Sequence, residues 1–211
     1  MKFILYILFL LLAISTSANS QNYMIKAYYD SDSLKIEWNN FLNNPSSENA
    51  LKVYDLLPAI GHVRKKDSDL ELEENIYKNL KIIEKEIYKE NQNCIKLAFR
   101  LFTISDGAFS EVLNIILGKL ININPEIFLQ ELKTHYHLVS LTHLVSNFRP
   151  EYVDDFPKQL VETERRIAAL KSVNIKDLLD YKEKSIEELT KNKQSLQSLI
   201  SNIKNGNITF H

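Results

Sequence analysis

Apolar positions in this chain recur at three- and four-residue intervals, and residue-by-residue alternation is almost absent. That period marks helices buried along one face. From Ser31 to Asn43 the apolar set is Leu34, Ile36, Trp38, Phe41 and Leu42, with Pro45 as a stop. Ser46 or Ser47 can cap a second helix, whose stripe is Ala50, Leu51, Val53, Tyr54 and Leu57. Pro58 and Gly61 break it. After a polar link from Lys65 to Asp69, Leu70, Leu72, Ile76, Tyr77, Leu80, Ile83 and Ile87 keep helical spacing. That spacing predicts a helix of about five turns.

A helix from Asn93 to Ile104 follows, broken at Ser105-Asp106-Gly107. Asp106 is placed to cap the next one, which carries Phe109, Val112, Leu113, Ile116, Leu117 and Leu120. Gly118 falls inside it and marks a site of close helix packing. Asn124-Pro125 is the cleanest helix start in the chain: asparagine caps, and proline at the first position loses no hydrogen bond. Ile127, Phe128, Leu129 and Leu132 form its apolar face, and a short apolar segment runs from Leu138 to Val145.

The last third reads differently, polar and without glycine from Asp155 to Lys204. Ile186, Leu189, Lys193, Leu196, Ile200 and Ile203 follow a heptad-like seam. Leu160, Ile167 and Leu170 give a weaker one upstream, and Ser172 to Asn174 offers a turn. The pattern predicts two long antiparallel helices packed on the chain's own helices rather than a dimeric coiled coil.

The first twenty residues have another logic. Lys2 precedes an apolar run from Phe3 to Ile14, then Ala13, Ser15, Ser17, Ala18 and Ser20 supply small residues. The run is shorter than the roughly 20 apolar residues that span a bilayer. It predicts a cleaved signal peptide over 1–20 and release of the remainder without a membrane anchor. Localisation is then periplasmic or extracellular.

Composition narrows the class. Of 211 residues, 45% are hydrophobic and 25% charged, with 4 glycines and 5 prolines, which excludes collagen-like and low-complexity chains. A net charge of −1 gives no global reason to expect nucleic acid. The halves are balanced as well, 12 basic against 13 acidic residues from Gln21 to Ser105 and 13 against 14 beyond. The single cysteine, Cys94, lies in an apolar helical pattern and is expected as a buried core thiol.

Candidate chemistry is sparse. His135 and His137 project to different faces of a helix, and His143 lies two turns beyond His135. Glu131 and His135 are spaced to meet, most simply as a solvent-facing pair. Asp67, Asp69, Glu71, Glu73 and Glu74 resemble the start of a calcium loop, but Leu72 stands where the loop needs glycine. The helix dipole accounts for these carboxylates, and Arg64-Lys65-Lys66 offsets them. Asp106 and Glu111 form a nominal acid/base pair beside Gly107, explained by capping and surface roles. Tyr23, Tyr28 and Tyr29 are expected to pack the first helix onto the body, and Asn207-Ile208-Thr209 fits a glycosylation acceptor. No nucleophile elbow, phosphate loop or paired cysteine motif is present. Neither a catalytic residue nor a cofactor or metal ligand is therefore assigned.

Over 46–147, helices with short breaks, the last opened by Asn124-Pro125, resemble the units of HEAT-like α-helical repeat proteins. Ser105-Asp106-Gly107-Ala108 with Glu111, Leu113, Leu117, Leu120 and Asn124-Pro125 is also similar to exported bacterial helical proteins. The resemblance implies a binding surface and no catalytic residue. The expectation is an all-α protein: an array of antiparallel helices over 21–150, HEAT-like or an irregular bundle, then a C-terminal long-helix hairpin over 151–211. Its expected role is a protein- or peptide-binding scaffold. The alternative is a metal-binding protein or hydrolytic enzyme using Glu131, His135, His137 and His143. A third reading gives the C-terminal helices to self-association.

Overall fold

The computed structural model describes residues 30–60, 67–148 and 150–205. The leader, the three tyrosines at 23, 28 and 29, the basic triplet at 64–66, His62, His211 and the Asn207 acceptor lie outside these residues. Among the described residues there are ten α-helices and no strand, so the protein is all-α.

Helix α1 (Ser31–Asn43) is started by Asp30, whose carboxylate accepts from the Ser33 backbone N–H at 3.1 Å. Leu34, Trp38 and Phe41 repeat at i, i+4 and i+7 and are fully buried. Burying side chains of this size contributes about 1.5–3 kcal/mol each. Ser46 caps α2 (Ser47–Leu56), accepting from the Asn49 N–H at 3.2 Å. The Trp38 indole donates to Asn75 Oδ1 at 2.8 Å and ties α1 to α3 (Asp67–Lys78).

The helix expected from Leu70 to Ile87 is two helices, α3 and α4 (Leu80–Ile87), separated at Asn79. There the Asn79 amide reaches back to the Asn75 carbonyl at 2.8 Å, a side-chain bond that competes with the backbone ladder. The turn after α4 passes through Glu90, the one non-glycine among the described residues with positive φ, at 62°. Asn91 then caps α5 (Gln92–Arg100). The predicted end at Ile104 is also corrected: a 3₁₀ turn, Leu101–Thr103, takes over after Arg100.

α5 is the hub of the core. Cys94, Ile95, Leu97, Ala98 and Phe99 are all fully buried, and the helix packs against α2, α4, α6 (Gly107–Ile123) and α7 (Pro125–His135). Burial, with Glu86 nearby, pushes the Cys94 thiol up to about 12, so it sits as a small hydrophobe. Asp106 occupies the N-cap position of α6 but makes no side-chain capping bond. Asn124 does cap α7, accepting from the Ile127 N–H at 3.1 Å.

A short helix, α8 (Leu141–Ser146), lies across α6 and leads to the final pair, α9 (Phe156–Lys171) and α10 (Leu179–Lys204). Thr163 bonds Asn192, Glu164 pairs with Lys193, and the Val173 carbonyl accepts from Lys182. From Thr163 to Val173 the partner moves back from Asn192 to Lys182, so the two run antiparallel. Leu189 and Leu196 of the predicted seam are buried, and α10 also packs on α7 and α8. One hydrophobic cluster runs from Leu34 to Leu189.

Candidate functional site

Two buried polar constellations lie within this helical body, and the predicted histidines belong to the first. His135 ends α7 with 1% of its surface exposed, and Glu131 one turn earlier has 9%. The solvent-facing pair expected from sequence is thus a buried one, because the α7 face that carries Phe128 and Leu132 also carries these two residues inward. The ring stacks on Phe99 at 5.5 Å and meets the edge of Tyr54 at 5.9 Å. Its Nδ1 lies 3.0 Å from the Glu131 carbonyl and its Nε2 3.2 Å from the Tyr54 hydroxyl. Those partners place the proton on Nδ1, donating to the carbonyl, while Nε2 accepts from Tyr54.

Tyr54 in turn accepts from Arg100 Nη2 at 2.6 Å, and Arg100 Nη1 donates to the Pro58 carbonyl at 3.2 Å. The relay therefore runs from Arg100 through Tyr54 and His135 to a backbone carbonyl. Burial holds the imidazole at about 4, well below its usual value, with the Arg100, His137 and Lys96 charges adding to the depression. Burial likewise raises the Glu131 carboxyl, against the pull of Lys96. Both ring nitrogens of His135 are engaged, leaving no lone pair for an ion.

The other members of the alternative site sit apart from it. His137, exposed in the 3₁₀ turn after α7, donates from Nε2 to the Ala59 carbonyl at 3.2 Å, and His143 is exposed on α8. Among the described residues no group of three or more His, Cys, Asp or Glu side chains is placed to hold a metal ion. The acidic stretch on α3 is divided rather than uniformly solvated. Asp69 and Glu73 are buried, while Glu71 and Glu74 are exposed and pair with Lys35 and Lys78.

The second constellation was not singled out by motif or spacing. Arg166 of α9 is 3% exposed, and its Nη1 donates to the carbonyls of Val145 at 2.7 Å and Asn147 at 3.1 Å, at the end of α8. Its Nε faces Glu162 at 3.3 Å, and the guanidinium lies 4.8 Å from the Phe148 ring centre. Glu162 also accepts from Asn122 of α6 at 2.6 Å. Gly118 makes room: a Cβ there would stand 2.7 Å from the Leu144 carbonyl oxygen and 2.8 Å from Arg166 Nη1. The close packing expected at this glycine is present. Burial pulls the Arg166 guanidinium below its ordinary value and Glu162 opposes the shift, but arginine stays charged.

Arg166 also lines an open cleft of about 280 Å³ between α6 and α9, with Lys119, Asn122, Phe148, Tyr152 and Arg165 among its walls. A second cleft of about 340 Å³ adjoins it along the start of α9, lined by Pro157, Lys158 and Val161. Tyr152, Glu162 and Arg165 border both. Val161 is 49% exposed on this rim, and nearby Val153 is 61% exposed. The only sequence signals were the i, i+4 spacing of Glu162 with Arg166 and the helical Gly118.

Among the described residues no helix is long and apolar enough to cross a membrane. The chain matches no protein-family model, no curated protein and no solved structure.

Proposed function

We propose that this is an exported binding module whose partner is a protein or peptide, seated on the paired clefts along the first half of α9. The observation that carries the reading is the adjoining of the two clefts. Together they offer an extended, partly apolar surface rather than a closed pocket around reactive groups. Pro157 and Val161 give apolar contact, and Tyr152 supplies an amphipathic ring of the kind favoured where proteins meet. A third hollow, between α1 and α2, is lined by Ser33, Ile36, Glu37, Lys52, Asp55 and Leu56. Its one cation, Lys52, is already held by Glu48 at 2.8 Å, which makes it the weaker docking surface. Export rests on the basic residue, apolar run and small residues of 1–20.

The test places a photo-crosslinking amino acid at Val161 and, as a control, at the exposed Gln197 of α10, in cells that make the protein. A discrete adduct from position 161 and none from 197 is expected. Equal labelling from both positions, or none from 161, rejects the surface. Protein recovered from the medium or periplasm with its N-terminus near residue 21 is expected for the exported form, and retention of the first twenty residues in the cytoplasm rejects export.

A further inference from the structure

Building on the peptide-binding reading, we propose that the cleft between α6 and α9 takes the carboxylate of an aspartate or glutamate side chain on an extended, otherwise apolar peptide. Charge comes first. Lys119, Arg165 and Arg166 line the cleft against the single acid Glu162, and since the Lys119 ammonium lies 4.0 Å from the Tyr88 ring centre, the cationic wall rests on the two arginines. That acid is already turned to Asn122 and to Arg166 Nε.

Donors remain for an incoming anion. Arg166 commits Nε and Nη1 within the fold, while its Nη2 has no hydrogen-bond partner among the described residues. Its side chain, 3% exposed, nevertheless forms part of the cleft wall. Arg165 beside it is exposed and has no ion pair or hydrogen bond among the described residues. Two guanidinium groups, one fixed by the core and one free to move, suit a planar carboxylate, which takes paired N–H donors.

The remaining walls choose among anions. The net positive lining attracts a phosphate dianion as well as a carboxylate, so the apolar walls make the choice. Ile115, Ile123 and Phe148 ask for apolar atoms next to the charge. The second cleft carries the surface onward past Tyr152 to Pro157 and Val161, so the bound main chain continues on beyond the charged cleft. A side-chain carboxylate leaves the main chain free to follow the second cleft, and a chain end seated there is the alternative the titration separates.

The experiment titrates the full-length mature protein, labelled with ¹⁵N, with an acetylated and amidated hexapeptide holding one glutamate between leucine and phenylalanine. Parallel titrations use the glutamine version, a glutamine version with a free C-terminal carboxylate, and inorganic phosphate at matched ionic strength. The expected result is amide shifts confined to 115–123 and 148–166, with the glutamate peptide binding about tenfold tighter than its glutamine twin. Affinity is expected to weaken several-fold between roughly 50 and 300 mM salt. Arg165→Gln is expected to cost about three- to tenfold, with an unchanged melting temperature.

Equal binding of the glutamate and glutamine peptides overturns the inference. So does equal binding of the free-carboxylate peptide, which would mean a chain-end site, or phosphate matching the glutamate peptide, which would mean a general anion site. Absence of any peptide shift, with the Val161 adduct still formed, overturns the carboxylate assignment and leaves the docking surface standing. Loss of both rejects the two together.

Discussion

The two buried polar constellations differ in how they end. The relay from Arg100 through Tyr54 to His135 stops on the Glu131 carbonyl, and both imidazole nitrogens are satisfied inside the protein. Around Arg166, Nε and Nη1 are held by Glu162 and two carbonyls, but the same guanidinium also borders a cleft. A polar group enclosed on every side specifies packing. One that is anchored from behind and open in front presents a fixed charge to a partner, with little ordering left to do on binding. By this distinction the His135 relay specifies packing, although its residue types first drew attention, and the arginine is the better candidate for recognition.

Removing each anchor tests that contrast. The largest effect is expected from Arg166→Ala, which strands the Val145 and Asn147 carbonyls and the Glu162 carboxylate. A loss of about 4 kcal/mol follows from breaking a buried, hydrogen-bonded ion pair. Urea unfolding followed through the buried Trp38 measures it; a loss under about 1 kcal/mol would show that the guanidinium is not structurally anchored.

The closed relay should announce itself through pH. His135 titrates near 4 when folded against an ordinary value of 6.5, so between those values the unfolded chain binds a proton that the native protein does not. Stability then falls as pH drops from 6.5 towards 4, by at most about 3 kcal/mol. Glu131 works in the opposite sense, because its raised folded value makes the native state the better proton acceptor above 4.5. His135→Gln is expected to remove the histidine contribution and leave the reverse slope of Glu131. A wild-type profile unchanged by the substitution would contradict the buried neutral ring.

Gly118→Ala comes next, at about 2 kcal/mol destabilising. The new methyl must displace backbone at Leu144, which outweighs the roughly 1 kcal/mol of helix propensity gained. A thermal melt with a midpoint at or above wild type would refute this. The smallest effect is expected from Tyr54→Phe, at about 1 kcal/mol, since one hydroxyl leaves both Arg100 Nη2 and His135 Nε2 unmatched. A double-mutant cycle with Arg100→Gln is expected to be strongly non-additive. Simple additivity would mean that the two do not share one network.

Much of the scaffold was legible from spacing and caps. Ser46, Asn124 and Pro125 mark helix starts that the backbone follows, and Leu34, Trp38 and Phe41 face inward as their period requires. The break at Asn79 was hidden because the apolar positions on either side stay in helical phase, and only the asparagine amide interrupts the ladder. The turn at Glu90 was hidden too, since its left-handed backbone carries no glycine. Its carboxylate instead accepts from Asn124 at 2.6 Å. Arg166 was the least readable. It stands in a polar helix beside Arg165, and periodicity weighs apolar residues, so it cannot show which of two neighbouring cations enters the core. What decides is tertiary: the uncapped carbonyls at the end of α8 and the space above Gly118.

The bond from Arg166 to the end of α8 also sets an order of events. A chain that emerges N-terminus first, from a ribosome or through a membrane, presents α6 and the carbonyls of Val145 and Asn147 before residue 166 exists beside them. Until α9 arrives, those carbonyls can be satisfied only by water, and α8 has no cation to pin it above Gly118. Closure of the middle of the molecule therefore waits for its last third, and so does assembly of the cleft that α6 and α9 share. A chain that ends before Arg166 lacks both the latch and the cleft, so the proposed binding requires a molecule made at least that far.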